Sequence, residues 1–207
     1  MGRWHLVRHG RTSWNADGRL QGHSDTPLGE EGRRQVQRLA ARLSGKRFTA
    51  IYASDLTRAF TTAEILSGGR IAPVPVRDLR ETKHGVWEGL TFAEAQVKYP
   101  VEYARFMQSP DSGFAAPGGE SILDVSRRVS VVMERIRSAH REEDDLLIVG
   151  HSGSVKVLAF ALLGLPLAYY WRVRTEPASL SIINVQQGAA TLELWNDTSH
   201  LEERHGE

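Results

Sequence analysis

Short apolar runs that end abruptly in polar or glycine-rich breaks set the rhythm of this chain. Trp4 to Val7 breaks at Arg8-His9-Gly10, and Phe48 to Ala53 breaks at Ser54-Asp55. Leu146 to Val149 is wholly apolar and breaks at Gly150-His151-Ser152-Gly153. Runs of this length bounded by turn residues predict buried strands. Ile71 to Val76 is a further strand, and Pro73 and Pro75 assign it to an edge or an extended connection. Between the strands, apolar residues recur at helical spacing. Val36, Leu39, Ala40 and Leu43 share one face of a helix that Thr26-Pro27 opens and Gly45 closes. A second helix starts at Ser54 or Asp55 and runs to about Leu66, and a third spans Thr91 to Tyr99, stopping before Pro100. Ile122, Val125, Val129, Val132, Met133 and Ile136 form one stripe behind the capping-box-like start Ser121 to Asp124. A last helix covers Ser154 to about Leu163, and Ser179–Val185 and Thr191–Trp195 alternate as a hairpin turning at Gln187-Gly188. Strands alternating with helices predict an α/β fold with a parallel sheet.

Two stretches interrupt this rhythm. Residues 13–27 are polar, turn-rich and without period, which predicts a long loop, and long loops are mostly functional. Residues 100–120 are rich in Pro, Gly and Ser with Phe106, Met107 and Phe114 scattered among them, and read as a lid over a pocket. A length of 207 residues fits a single domain, 1–207, with that lid inserted.

Composition narrows the chemistry. Net charge is +1, so no broad electrostatic footprint for nucleic acid is expected. Cysteine is absent, which removes disulfides, thiolate catalysis and Cys-ligated zinc. No run resembles a signal peptide or reaches the ~18 apolar residues of a membrane span, so a cytoplasmic enzyme without membrane contact is the expectation.

The candidate chemistry sits at the strand ends. In open α/β sheets ligands bind at the C-terminal ends of the strands, where Arg8 and His9 stand side by side. A guanidinium offers a permanent planar fork of donors and an imidazole can be a neutral nucleophile, a combination suited to a phosphoryl group, although Arg-His-Gly taken alone reads more readily as a strand end with a surface His. Arg58, in the first turn after the second strand, either points toward the same rim or is a solvent-facing helical Arg. His151 repeats the N-terminal design, at a helix start that supplies amides and a positive dipole end. If the two strands are neighbours, two Arg and two His surround one small volume, and a phosphate dianion relieves their repulsion. The irregular stretch Leu79 to Gly89 adds a carboxylate, Glu81, as proton donor, or alternatively a surface partner of Arg80 or Lys83. Two His beside two Arg are a poor zinc site.

These residues carry a resemblance. Leu6-Val7-Arg8-His9-Gly10-Arg11-Thr12-Ser13-Trp14-Asn15 with Gly18-Arg19-Leu20-Gln21-Gly22 is similar to the signature of the histidine phosphatase superfamily, which includes the cofactor-dependent phosphoglycerate mutases. Ser54 to Ala59 resembles its second-arginine motif, and Leu79-Arg80-Glu81 through Gly85-Val86-Trp87-Glu88-Gly89 its acid/base loop. Gly118-Gly119-Glu120-Ser121 and Gly150-His151-Ser152-Gly153 resemble the lid exit and the second-histidine motif, all in the family's order. The resemblance implies a phosphoglycerate mutase-like three-layer α/β/α sandwich with a mostly parallel sheet and a lid insertion. It implies that His9 becomes a phosphohistidine, that Arg8, Arg58 and His151 hold the phosphoryl oxygens, and that Glu81 is the general acid and base. Asn15, Gln21, Gly22 and the backbone at Ser152 are implied to line the phosphate pocket, with neither metal nor cofactor. His84 is carried by some phosphoserine-hydrolysing members, and is either a substrate contact or a surface residue.

Within the family, the mutases follow the acid/base Glu with Arg and carry adjacent arginines in the lid. Here Thr82 follows Glu81, and Arg105 is the one cation between Pro100 and Glu120. A phosphatase acting on a small phosphomonoester is therefore expected, with a phosphoglycerate mutase and a catalytically silent phospho-binding module as alternatives. Tyr169-Tyr170-Trp171 reads as aromatic core or a homodimer contact, with a partner surface as a further alternative.

Overall fold

The computed structural model describes residues 2–186 and 189–202. Among these, six strands make one sheet: β1 (Arg3–Arg8), β2 (Ala50–Ala53), β3 (Val74–Pro75), β4 (Leu146–Gly150), β5 (Leu180–Gln186) and β6 (Ala189–Asp197). Their spatial order is β3-β2-β4-β1-β5-β6. The pairs β1/β4, β2/β4 and β2/β3 are parallel, while β5 runs antiparallel to both β1 and β6. The helices are α1 (Ser13–Ala16), α2 (Glu30–Arg42), α3 (Thr57–Ser67), α4 (Phe92–Lys98), α5 (Pro100–Gln108), α6 (Ile122–Ala139) and α7 (Ser152–Leu163).

The central strands feed two cores because successive side chains point to opposite faces. Leu6, Leu146 and Ile148 meet Val125, Val129 and Met133 of α6 and Val155 and Leu158 of α7. Val7, Leu147, Val149 and Ile51 meet Val36 and Leu39 of α2 and Ala59 and Ala63 of α3. The result is the three-layer α/β/α sandwich. Every residue of β4 is buried, as expected for a parallel strand covered on both faces. The α6 stripe lies in the core at every position from Ile122 to Ile136 that the spacing predicts.

Several boundaries differ from expectation, each because a side chain is engaged elsewhere. Helix α2 starts at Glu30 with Gly29 as its cap, not at Thr26-Pro27. The Thr26 hydroxyl donates to Gln21 Oε1 at 2.6 Å, and the Gly29 amide donates to the Arg11 carbonyl. Helix α3 starts at Thr57, not at Ser54 or Asp55. Ser54 pairs with His151 and Asp55 with Arg80, so Asp25 supplies the cap by accepting from the Thr57 amide (2.8 Å) and hydroxyl (2.7 Å). The loop after β1 carries the one-turn α1, capped by Thr12. Pro100 both ends α4 and opens α5, since a first helical position needs no N–H. The first nine residues of the lid are therefore helical. The hairpin turn at Gln187-Gly188 and the tail beyond Glu202 lie outside the described residues. No helix among the described residues is long and apolar enough to cross a membrane.

The turn after β1 is pressed against α2 backbone to backbone. A Cβ on Gly32 would sit 2.0 Å from the Arg11 carbonyl oxygen. Glycine there lets α2 brace the turn that presents Arg8 and His9.

Candidate active site

The parallel register places Arg8 beside Gly150, and the His9 amide donates to the Gly150 carbonyl at 3.0 Å. His9 and His151 therefore leave the sheet together, with ring centroids 5.0 Å apart. Both rings are buried. The Gly10 carbonyl lies 2.7 Å from His9 Nδ1. A carbonyl can only accept, so the proton sits on Nδ1 and Nε2 keeps its lone pair. Burial first, then the charges of Arg58 and Arg8, hold His9 well below the ordinary histidine range. Burial, Arg58, His9 and Arg8 do the same for His151, whose Nε2 shares a 2.8 Å hydrogen bond with Ser54 Oγ. Both imidazoles are neutral at pH 7.

The guanidinium of Arg58 is fully buried and anchored by Nη1 to the Ser24 carbonyl (2.9 Å) and Nη2 to the Gly22 carbonyl (2.8 Å). Burial lowers it to about 10, so it stays charged. Arg8 Nη1 donates to the Thr175 carbonyl at 2.6 Å. Among the described residues neither cation has a carboxylate within ion-pairing distance. Asn15 Oδ1 accepts from the Thr12 amide and hydroxyl, and Gln21 Oε1 from Thr26, leaving the NH₂ ends of both amides as donors. Arg8, His9, Asn15, Gln21, Arg58, Glu81, His84 and Ser152 line one cavity of about 220 Å³. Two unpaired cations, two amide donors and an unprotonated imidazole nitrogen converge there, and the complement of that set is an anion with an electrophilic centre.

Glu81 is not a surface residue paired with Arg80 or Lys83. Its Oε1 accepts from the Thr82 amide (2.8 Å) and the Gly153 amide (3.0 Å), and Oε2 has only a 3.2 Å contact with Gly153. The start of α7 was expected to offer its amides to the ligand. One of these amides, that of Gly153, holds the Glu81 carboxylate, an anion already supplied by the chain, while Ser152 lines the cavity. A Cβ on Gly153 would lie 2.2 Å from Glu81 Oε1. Gly153→Ala is therefore expected to push the carboxylate aside and lower kcat on alkyl phosphates by about 10- to 100-fold, with thermal melting little changed; an unaltered kcat would mean that this contact does not position Glu81.

The profile of the histidine phosphatase superfamily (branch 1) matches residues 4–198. The chain belongs to this superfamily. It is 33% identical over 199 residues to phosphoserine phosphatase 1 of Hydrogenobacter thermophilus, covering 96% of this chain and 93% of the relative. It is 32% identical to a metal-independent phosphoserine phosphatase of Arabidopsis thaliana, covering 95% and 82%. Among solved structures, Bacillus stearothermophilus YhfR superposes with a TM-score of 0.89 at 37% identity, covering 98% of this chain and all of that one. This histidine phosphatase is thus a phosphoric monoester hydrolase.

Two expected site residues stand outside the cavity wall of this histidine phosphatase: His151, whose ring lies beside that of His9, and Gly22, whose carbonyl anchors Arg58. His84 does line the cavity, edge-on to Phe106 of α5 at 6.2 Å. Other residues the sequence did not single out hold the site. Arg128 of α6 donates to the carbonyls of Asp78, Arg80 and Glu81 and to both oxygens of Glu120, clamping the acid loop to the lid exit. Glu88 accepts from the amides of His23, Ser24 and His84 and from the Ser24 hydroxyl. On an exposed-looking helix or loop such residues carry no local signal. Lys156 did carry one, as a single cation within the apolar run of α7. Of the aromatic triplet, Tyr170 is buried and lines the cavity with Trp171, whereas Tyr169 is 47% exposed.

Proposed function

We propose that this enzyme hydrolyses a small phosphomonoester through a phosphohistidine on His9. The observation that carries the reading is the His9 Nδ1–Gly10 carbonyl bond, which leaves Nε2 unprotonated in a cavity walled by Arg8 and Arg58. In the first half, the Nε2 lone pair attacks phosphorus and the ester P–O bond breaks. Glu81 gives its proton to the departing alkoxide, through Oε2, the oxygen with the weaker amide contact. Arg8, Arg58 and the amide donors of Asn15 and Gln21 hold the equatorial oxygens as charge shifts onto them. His151 stands beside the attacking ring, with ring centroids 5.0 Å apart, and is the remaining group proposed to hold the same oxygens. In the second half, Glu81 takes a proton from water, the water oxygen attacks phosphorus, and inorganic phosphate leaves with His9 restored. The proton inventory closes over the cycle.

Hydrolysis rather than mutase chemistry is favoured by the lid. Arg105 is not in the cavity wall; its guanidinium stacks on the Phe114 ring at 4.5 Å. The cavity wall contributed by the lid is Phe106, which offers nothing to a second phosphate. The deciding experiment measures phosphate release from a panel of monoesters beside interconversion of 3- and 2-phosphoglycerate. Release of phosphate at rates far above interconversion is expected; efficient interconversion with little free phosphate would reverse the assignment. Failure of vanadate, which mimics the five-coordinate phosphoryl group, to bind would favour a silent phospho-binding module.

A further inference from the structure

The mechanism above leaves one cation in the cavity without a task. Lys156 lies on α7 one turn beyond Ser152, on the same face. Its neighbours Val155, Val157, Leu158, Ala159 and Phe160 are all core residues, and Lys156 itself is only 5% exposed. Its ammonium sits 3.6 Å from the centroid of the Tyr170 ring and 5.1 Å from that of Trp171. Its hydrogen bond, to the Tyr170 carbonyl, is long at 3.3 Å. No carboxylate among the described residues lies within ion-pairing distance of it.

An ammonium desolvated this far is costly unless an anion joins it. Burial lowers Lys156 to about 8, with Glu81 opposing the shift, so the proton is retained at pH 7. The other cations that line the cavity are committed. Arg8 and Arg58 flank His9, and Arg19 donates to the Gly89 carbonyl (2.7 Å) and faces Glu94. Lys156 stands instead in the aromatic wall made by Phe106, Tyr170 and Trp171, the part of the cavity left for the leaving group.

We infer that Lys156 reads a carboxylate carried by the leaving group close to the ester oxygen, which makes the substrate a phosphorylated small hydroxy acid or hydroxy amino acid. The inference rests on the hydrolase reading above. Lys156 is a specificity-determining residue in it, with the aromatic rings excluding water from the ion pair so formed.

Phosphoserine and phosphoethanolamine test it, because they differ only in the carboxylate. Phosphate release is measured on both for wild type, Lys156→Met, which keeps length and packing but not charge, and Lys156→Arg. Wild type is expected to favour phosphoserine in kcat/KM on the order of 10- to 100-fold. Lys156→Met is expected to erase that ratio, mainly through KM for phosphoserine, and Lys156→Arg to recover part of it; 3-phosphoglycerate should follow phosphoserine. A ratio unchanged in Lys156→Met, an equal loss on both esters, or a wild type indifferent to the carboxylate would each overturn the inference, the second by placing Lys156 on the phosphoryl group. Thermal melts of both variants separate loss of selectivity from loss of fold. A wild type that releases phosphate from neither ester, nor from an activated aryl phosphate, would instead remove the hydrolase reading on which the inference stands.

Discussion

Replacing His9 with alanine is expected to lower kcat by at least about 10⁴-fold on every phosphomonoester, because it removes the atom that bonds to phosphorus. No neighbour can take over. His151 Nε2 is engaged with Ser54 Oγ, and its ring is held by the turn into α7. Circular dichroism should show the fold intact, since β1 and β4 pair through backbone and apolar contacts that do not involve the His9 ring. Mass spectrometry of acid-sensitive adducts should find a phosphoryl group on wild-type His9 during turnover and none in His9→Ala. A phosphoryl group trapped on another residue, or a variant within tenfold of wild type, would refute the assignment. The pH profile carries the same idea. Protonation of His9 abolishes its lone pair, so kcat/KM falls as pH drops through its lowered pKa. The acid limb of the free enzyme attributable to His9 is therefore expected below the ordinary ~6.5 of histidine; a loss centred at or above that value would contradict a nucleophile buried beside two guanidiniums.

Glu81→Gln is expected to show the next largest effect, and a selective one. A proton delivered to an alkoxide is worth about 10²- to 10⁴-fold, but an aryl leaving group such as p-nitrophenolate departs without it. The loss should appear in full on alkyl esters and shrink strongly for the first half-reaction of activated esters, which a burst of p-nitrophenol ahead of slow turnover would report. Glutamine keeps the shape and one acceptor for the Thr82 and Gly153 amides, so the site should not collapse. Equal losses in the burst and on alkyl esters would mean that Glu81 positions groups without moving a proton.

These residues differ in how plainly the sequence marks them. Arg8, His9, Gly150 and His151 stand out in the sequence because apolar runs end on them twice; one such break alone reads more readily as a strand end with a surface His. The α6 stripe and the Ser121 cap are equally legible, since helical period and capping chemistry are local. The helix starts at Thr26 and Ser54 are misleading for the opposite reason. Each has good cap chemistry, but Gln21, five residues back, and His151, distant until the chain folds, compete for the same hydroxyls. Glu81 could be read locally as an exposed partner of Arg80; only the structure brings it to the Gly153 amide, 72 positions away.

By itself, then, the sequence determined the alternation of strands and helices, the apolar faces that become the two cores, and the identity of the groups proposed to bond to phosphorus or to its oxygens. Those properties depend on residue type and on spacing within one element. The tertiary structure alone decided that β1 and β4 are neighbours, that the Gly153 amide of α7 holds Glu81, that Arg128 and Glu88 clamp the loops, and that Lys156 meets an aromatic wall with no carboxylate of the described residues in ion-pairing distance. Those depend on which surfaces meet when the sheet is covered on both faces, and burial in that shared volume is what shifts the histidines and makes each unpaired cation a demand for a ligand.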